Sequence, residues 1–201
     1  AEKGAYAQNL LKDIEVRESQ ITALTFAWHA PGMPDYREIC AMDLIYTILG
    51  QQRVGRLQEA LQAAEIPALV ECNYLTQRQP GLITISAGIH GDYETAVRNE
   101  VLEQIRSLRD ETVSAAELQR AKRLLRTEYA FTNEGYGGQV GSLGFYDAID
   151  SYRFAIDYVD HVNAVTAEDI RDVARKYLAP DSYTLVILRP ESPGGSQEVS
   201  L

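Results

Sequence analysis

The chain has 201 residues and a mass of 22.4 kDa, enough for one large domain with its own hydrophobic core. Its formal net charge of −10 disfavours nucleic acid as a partner, because an acidic surface repels a phosphate backbone. No apolar run reaches the roughly 18 residues that a membrane-spanning helix needs, so the sequence predicts no membrane span. The abrupt start, AEKGAYAQNL, is typical either of an artificial start or of a cut inside a longer protein, so the missing signal peptide says little about the compartment.

The first third of the chain predicts a strand followed by two helices. ITALTFAW at 21–28 alternates apolar with other residues, which indicates a strand covered on at least one side. Apolar residues recur at helical spacing over 35–50, and Gly50 is well placed to end that helix. A shorter apolar stripe over 57–64 predicts a second helix, which Pro67 stops.

The middle of the chain predicts a hairpin and a long helix. Val70, Cys72 and Tyr74 alternate in one strand, and LITISAGI at 82–89 follows a Pro-Gly turn as its partner. Apolar residues about one turn apart then predict a helix over 93–108.

The last third is predicted to be mainly helical. Ser114 and Glu117 form the pattern of a capping box that opens one helix, and a further helix lies around 152–162. Thr166 caps the final helix, and YTLVIL at 183–188 is an apolar strand suited to the interior of a sheet. The order of elements predicts a two-layer α+β sandwich, with helices on one face of a mixed or antiparallel sheet. Residues 1–190 form its single domain, and the polar tail 191–201 is predicted to be disordered.

Some residues that can carry chemistry have two interpretations. His90, Asp92 and Glu94 alternate as metal ligands on a strand would, or form a turn whose carboxylate starts the next helix. We favour the turn. His29 is interpreted as an exposed strand end and His161 as a helix-surface residue, because a single histidine needs partners for catalysis.

Cysteines and basic residues indicate no further site. Cys40 and Cys72 each lie in an apolar pattern, which predicts two buried thiols, and two cysteines alone cannot make a zinc site. The basic residues of one predicted helix are interpreted as a solvated face. They are Arg120, Lys122, Arg123 and Arg126.

The segment NEGYGGQVGSLGFYDAID at 133–150 is rich in glycine. It fits neither G-x-G-x-x-G nor the Walker spacing, so we interpret it as a mobile connection or a weakened helix and not as a phosphate loop. Aromatic residues around it are expected to pack in the core, with a peptide-binding wall as the alternative. They are Tyr129, Phe131, Tyr136, Phe145, Tyr146, Tyr152, Phe154 and Tyr158.

Four segments, in order, resemble the pitrilysin/insulinase family of zinc metallopeptidases, which includes the mitochondrial processing peptidases and many bacterial relatives. ITALTFAWHAPG with Asp35-Tyr36 resembles the first strand and helix of a family domain, and GRLQEAL resembles its S-R-L-x-x-x-L segment. VSAAELQRAKRLL is similar to its T-x-x-E-L-x-x-A-K-x-x-L helix, and VTAEDIRDVARKYLAPDSYTLVIL to its closing helix and strand. The resemblance covers roughly residues 14–190, and it implies the fold of LuxS and processing-peptidase domains.

The resemblance implies a domain without the catalytic metal. Catalytic domains of the family bind zinc through H-x-x-E-H, with two histidines one helical turn apart. The three histidines here do not pair at that spacing. The chain therefore resembles the carboxy-terminal, non-catalytic domain, with no catalytic residue and no cofactor of its own. Zinc is expected in an amino-terminal domain of the same protein or in a homologous subunit.

The family's non-catalytic domain contributes an arginine and a tyrosine that reach the substrate backbone. On GRLQEALQAAEIPAL, Gln62 occupies the arginine position and Leu69 the tyrosine position. Glutamine lacks the guanidinium charge, and leucine has no hydroxyl to donate.

The expected function is one wall of a clamshell chamber that holds extended peptides, in a bacterial protein of the cytoplasm or periplasm. The alternative is a catalytically dead module of the same fold that serves subunit assembly.

Overall fold

The computed structural model describes residues 10–16, 20–50 and 55–191. Five strands lie in this part of the chain: β1 (Leu10–Val16), β2 (Thr22–Ala30), β3 (Ala68–Tyr74), β4 (Gly81–Ile89) and β5 (Thr184–Pro190). Seven helices accompany them: α1 (Tyr36–Gly50), α2 (Arg56–Ala63), α3 (Glu94–Asp110), α4 (Ala115–Thr132), α5 (Tyr136–Ile149), α6 (Tyr152–Ala164) and α7 (Ala167–Tyr177). Of the predicted tail, residues 192–201 lie outside the described residues. None of the helices described is long and apolar enough to cross a membrane.

The strands form one mixed sheet in the order β1-β5-β2-β4-β3. The predicted hairpin of β3 and β4 is confirmed, with Val70 opposite Ala87. β5 lies inside the sheet, antiparallel to β2 and parallel to β1. β1 was not predicted, because most of its residues are exposed at the sheet edge and it therefore lacks the alternation that marks a half-buried strand.

The sheet is covered by helices on one face. Leu24, Phe26 and Trp28 of β2 point into the helical layer and are at most 2% exposed. The alternate residues of β2 are half-buried or exposed, because they lie on the opposite, open face. This arrangement confirms the predicted two-layer α+β sandwich.

The glycine-rich segment forms a helix, so the prediction of a loose connection is wrong and the weakened-helix alternative is the one observed. No residue of α5 is buried. Arg78, in the turn between β3 and β4, donates to the Ile149 carbonyl at 3.1 Å and to the Ala148 carbonyl at 2.6 Å. These bonds cap the carboxyl end of α5, and the cap comes from a residue distant in sequence.

Two motifs that resemble family segments contact each other. Ser114 accepts a bond from the Glu117 amide, as expected of a helix cap. The Glu117 carboxylate does not return to Ser114; Arg56 of α2 donates to its two oxygens at 2.6 and 2.7 Å. The predicted capping box is therefore half formed, because a bidentate guanidinium outcompetes one backbone amide. The predicted cap at Thr166 is confirmed, and Asp169 completes a full box there.

Lys122 corrects the prediction that the basic residues of α4 form a solvated face. Its side chain is buried, and its ammonium donates to the carbonyls of Asn163 at 2.8 Å and Val165 at 2.6 Å. The two carbonyls lie at the end of α6, so this lysine joins α4 to α6. Arg123 and Arg126 are exposed, as predicted.

We expect Lys122→Met to destabilise the fold. Methionine fills a similar volume but leaves the Asn163 and Val165 carbonyls without their donor, so the free energy of unfolding should fall by about 2 kcal/mol. Urea denaturation followed by circular dichroism measures the change. The matched control is Arg123→Met on the next, exposed position of the same helix, which should change stability by about 0.5 kcal/mol or less. Equal stability of the two variants would contradict the role given to Lys122.

Candidate functional site

Gln62 and Leu69 lie on either side of the turn that joins α2 to β3. Gln62 is exposed in the last turn of α2, and Leu69, the second residue of β3, is 79% exposed. The chain turns between them at Glu65, whose φ is 55°. Gln58 of α2 donates to the Ala68 carbonyl at 3.4 Å and ties the helix to the strand. The two positions are therefore accessible to a ligand.

Leu69 belongs to the open face of the sheet. β3 is an edge strand, and Leu69 pairs with Gly88 of β4. Leu82 of β4 and Leu188 of β5 lie on the same face, 50% and 37% exposed. Leu69 lies opposite Gly88 and Leu82 lies opposite His29, so the two leucines stand at different ends of β4 as separate exposed apolar residues.

The histidines are distributed over separate elements. His29 is exposed near the end of β2 and His90 is exposed just after β4, while His161 on α6 stacks on Phe154 with ring centroids 5.6 Å apart. Among the described residues, no group of three or more histidine, cysteine, aspartate or glutamate side chains is placed to hold a metal ion. These residues do not fit the zinc site of a catalytic domain.

The segment from His90 to Glu94 forms the turn that we favoured. Gly91 has a φ of 76°, a conformation that glycine adopts without strain. The N-cap of α3 is Tyr93, which makes no side-chain cap, so the carboxylate of Asp92 does not cap the helix. Glu94 instead pairs with Arg189 of β5 at 2.5 Å.

The two cysteines are buried and form no disulfide, as predicted. Burial raises the pKa of the Cys72 thiol to about 12 and that of Cys40 well above its usual range. Since the thiolate is the nucleophilic form, neither cysteine is reactive at neutral pH. Thiol catalysis is therefore not available in the part of the chain described.

A carboxylate that sequence reasoning missed lies among the helices. Asp43 interrupts the apolar sequence of α1 between the buried residues Met42 and Leu44, and it is half-buried. Tyr158 of α6 donates its hydroxyl to Asp43 Oδ2 at 2.8 Å. The signal in the sequence is an acidic residue inside the apolar run ICAMDLI of α1, which predicts a buried polar contact but does not identify the partner.

A cavity of about 530 Å³ adjoins this hydrogen bond, between α4, α5 and α6. Its walls are mainly aromatic and glycine residues, with one carboxylate. The lining residues are Leu75, Leu125, Glu128, Tyr129, Thr132, Gly138, Gly141, Ser142, Phe145, Tyr146 and Tyr158.

The electrostatics of this region are set by burial and by like charge. Burial raises the pKa of Asp43 to about 7, the Tyr158 hydrogen bond opposes the rise, and the charge of Glu128 on α4 adds to it. Burial, followed by the charge of Asp43, also raises the pKa of Tyr146 and Tyr158 far above the ordinary value. The tyrosines are therefore neutral hydrogen-bond donors at physiological pH.

The aromatic residues predicted around α5 divide into two groups. Phe154 and Tyr158 are buried and Tyr129 and Tyr146 pack against the core, as expected. The other group is exposed, which the prediction of core packing did not anticipate. Its members are Phe131, Tyr136, Phe145 and Tyr152, with exposures from 39% to 88%.

Comparison with known proteins places the fold among domains of proteases. The inactive peptidase domain of a candidate zinc protease from Bordetella parapertussis matches with a TM-score of 0.77 and 24% identity, over 89% of this chain and 98% of that chain. A protease from Helicobacter pylori matches with a TM-score of 0.83 and 16% identity, over 92% of this chain and 45% of that one. The periplasmic protease PqqL from Escherichia coli matches with a TM-score of 0.68 and 11% identity, over 92% of this chain and 21% of that one. At these identities the similarity shows a shared fold.

The family model of the peptidase M16 inactive domain matches residues 2–125. The chain belongs to this family, which confirms the predicted resemblance to the non-catalytic domain of pitrilysin/insulinase peptidases. It spans about half the length of the Helicobacter pylori protease. No curated protein sequence matched the chain.

We expect Asp43→Asn to remove a pH dependence of stability. Because the folded-state pKa of Asp43 is about 7, above the value in an unfolded chain, the folded state binds the proton more tightly. The wild type therefore loses stability as the pH rises from about 4 to about 7, whereas asparagine does not ionise and still accepts from Tyr158. Relative to the wild type, the variant should gain about 2 kcal/mol in the free energy of unfolding between pH 5 and pH 8.

Urea denaturation at several pH values in that range measures this gain. Asp157→Asn, an exposed position on α6, is the matched control and should show no such trend. A difference between Asp43→Asn and the wild type that stays constant across the range would show that Asp43 ionises normally in the folded chain.

Proposed function

We propose that the chain is the non-catalytic domain of a zinc-dependent metalloendopeptidase and forms one wall of a chamber that holds extended peptides. The observation that carries this proposal is the match to the M16 inactive-domain family over residues 2–125. Zinc and H-x-x-E-H are supplied by an amino-terminal domain of the same protein or by a homologous subunit. The separated histidines support a zinc site on another domain or subunit, because the described residues offer no set of zinc ligands.

The length comparison supports a partner domain. The chain covers 45% of the Helicobacter pylori protease, which leaves more than half of that protein for other domains. In the proposed assembly, the partner domain faces this chain across the chamber. The exposed leucines of the open sheet face, Leu69 and Leu82, are suited to contact a peptide or the partner.

The residues at the two substrate-contacting positions suggest how the domain contacts a peptide. Gln62 and Leu69 are exposed at the positions where the family has its arginine and tyrosine. Neither side chain reproduces the charge or the hydroxyl donor, so the chain holds peptides through shape and apolar contact, and another subunit supplies the polar contacts.

A second candidate function is a structural module for subunit assembly. The absence of an arginine at 62 and a tyrosine at 69 favours it, because a domain retained only for assembly does not need them. We propose the bacterial cytoplasm or periplasm as the compartment. The periplasmic Escherichia coli neighbour supports the second of these.

The first test is peptide hydrolysis by the chain alone and by its parent protein. With zinc and unstructured fluorogenic peptides, the isolated chain should show no hydrolysis, whereas the full-length parent with its natural partner should be active and lose activity with a chelator. Hydrolysis by the isolated chain that follows the protein through purification would contradict the non-catalytic role. Absence of H-x-x-E-H from both the parent and its partner would favour the assembly module.

The second test restores the family pair in the active assembly with the double change Gln62→Arg and Leu69→Tyr. If another subunit supplies the polar contacts, kcat/KM should change by about threefold or less, which is within 1 kcal/mol. The control is Gln62→Lys with Leu69→Phe, which adds charge and a ring without the guanidinium fork or the hydroxyl. A gain of about a hundredfold for Arg/Tyr, absent from the Lys/Phe control, would show instead that no other subunit supplies these contacts.

A further inference from the structure

The cavity between α4, α5 and α6 presents several aromatic rings to one space. Tyr129 and Tyr158 lie with ring centroids 4.6 Å apart, and Phe145 and Tyr146 with centroids 5.2 Å apart in an edge-to-face arrangement. All four residues line the cavity. Aromatic rings carry a negative face, and a group of them around one space favours a cation.

The backbone of α5 keeps this space open. Gly138 and Gly141 form part of the cavity wall. A Cβ on Gly141 would meet no atom within 4 Å, so the space beside it is open, whereas a Cβ on Gly138 would clash with the Thr132 backbone. At about 530 Å³ the cavity lies in the size range of sites for small organic ligands, and it is too large for an ammonium group alone. A ligand that fits it needs an apolar tail as well as a polar head.

Negative charge is concentrated at the same place. Glu128 is exposed on the cavity wall, and Asp43 lies behind Tyr158, held by that tyrosine's hydroxyl. Within the described part of the chain, the ion pairs of lysine and arginine involve other carboxylates. Burial and, after it, the charge of Glu128 raise the pKa of Asp43, and the Tyr158 hydrogen bond opposes the rise. Among the described residues, Glu128 therefore lies on the cavity wall without an ion pair to a lysine or an arginine.

We propose that this cavity binds a small organic cation, with an ammonium or guanidinium head beside Glu128 and the tyrosine rings and with an alkyl or aryl tail in the apolar part. An organic head is favoured over a metal ion, because metal ions require several oxygen or nitrogen ligands and the described residues provide no such group here. An anion is disfavoured by the charge of Glu128 on the cavity wall. The proposal concerns binding alone and does not depend on the proposed peptidase role.

The test uses isothermal titration calorimetry of the full chain with benzamidine and agmatine, which carry amidinium and guanidinium heads on different tails. Benzamide, the neutral analogue of benzamidine, measures how much of the binding depends on charge. We expect at least one cation to bind saturably with one site per chain. The affinity for benzamide should be lower than that for benzamidine by about tenfold or more. Equal binding of benzamide and benzamidine, or binding of neither cation, would overturn the proposal.

Two variants locate the binding in this cavity. Glu128→Gln removes a charge from an exposed side chain and should weaken cation binding about tenfold. Tyr146→Leu keeps an apolar side chain without the aromatic face and should weaken it about fivefold. Glu134→Gln is the matched control, because Glu134 is an exposed carboxylate that lines a different groove. Thermal unfolding followed by circular dichroism confirms that each variant is folded at the temperature of the titration. Equal affinities of the wild type, Glu128→Gln and Glu134→Gln would show that the cation binds elsewhere.

Discussion

The packing of α1 beneath the sheet is the constraint on which the other helices depend. Most of its 15 residues are buried, including Ile39, Ile45 and Leu49. The contact with the sheet is close where the helix ends: a Cβ on Gly50 would lie 2.2 Å from the Cβ of Cys72 on β3, so only glycine fits there. With α1 held in this way, α4, α6 and α7 pack around its remaining surface. Ion pairs at its exposed end, such as that of Glu38 with Lys176 of α7, help to orient α7 on α1 but add little stability, because they are partly exposed.

Asp43 places one carboxylate in this apolar arrangement. Burying a carboxylate is costly unless it is hydrogen-bonded, and Tyr158 supplies one of the hydrogen bonds that it needs. The remaining cost of burial appears as a pKa raised to about 7, which favours the protonated carboxyl. The same residue therefore links the stability of the helical layer to the chemistry of the cavity, which is why substitutions in this region need stability controls.

Helices cover only one face of the sheet, so the other face is available for contact with a partner. A sheet with helices on one side leaves the other side for water, a peptide or another domain. Here the open face includes Leu69 at one edge strand and Leu188 near the other edge. The family to which the chain belongs is defined as inactive, and the described residues hold no zinc-ligand group.

Local patterns in the sequence were sufficient to predict much of the fold. β2, the β3–β4 hairpin and α7 with its Thr166 cap follow from periodicity and from capping chemistry within a few residues. The family could likewise be inferred from short segments such as GRLQEAL, since these retain the residues that pack and pair, among them Arg56. The assignment of Gln62 and Leu69 to the family's substrate-contacting positions also rests on the sequence alone.

Other features were decided only by the tertiary structure, because their causes lie far apart along the chain. β1 is a strand because β5, more than 160 residues later, offers it a parallel partner. The glycine-rich α5 is capped at its carboxyl end by Arg78, which lies 71 residues before Ile149. Lys122 is buried because two carbonyls at the end of α6 accept hydrogen bonds from its ammonium. The partner of Asp43 is Tyr158 of α6, 115 residues later in the chain. The sequence by itself determined most of the elements and the family, through interactions over a few residues. The cavity, the buried charges and the two faces of the sheet were decided by contacts that exist only once the chain is folded.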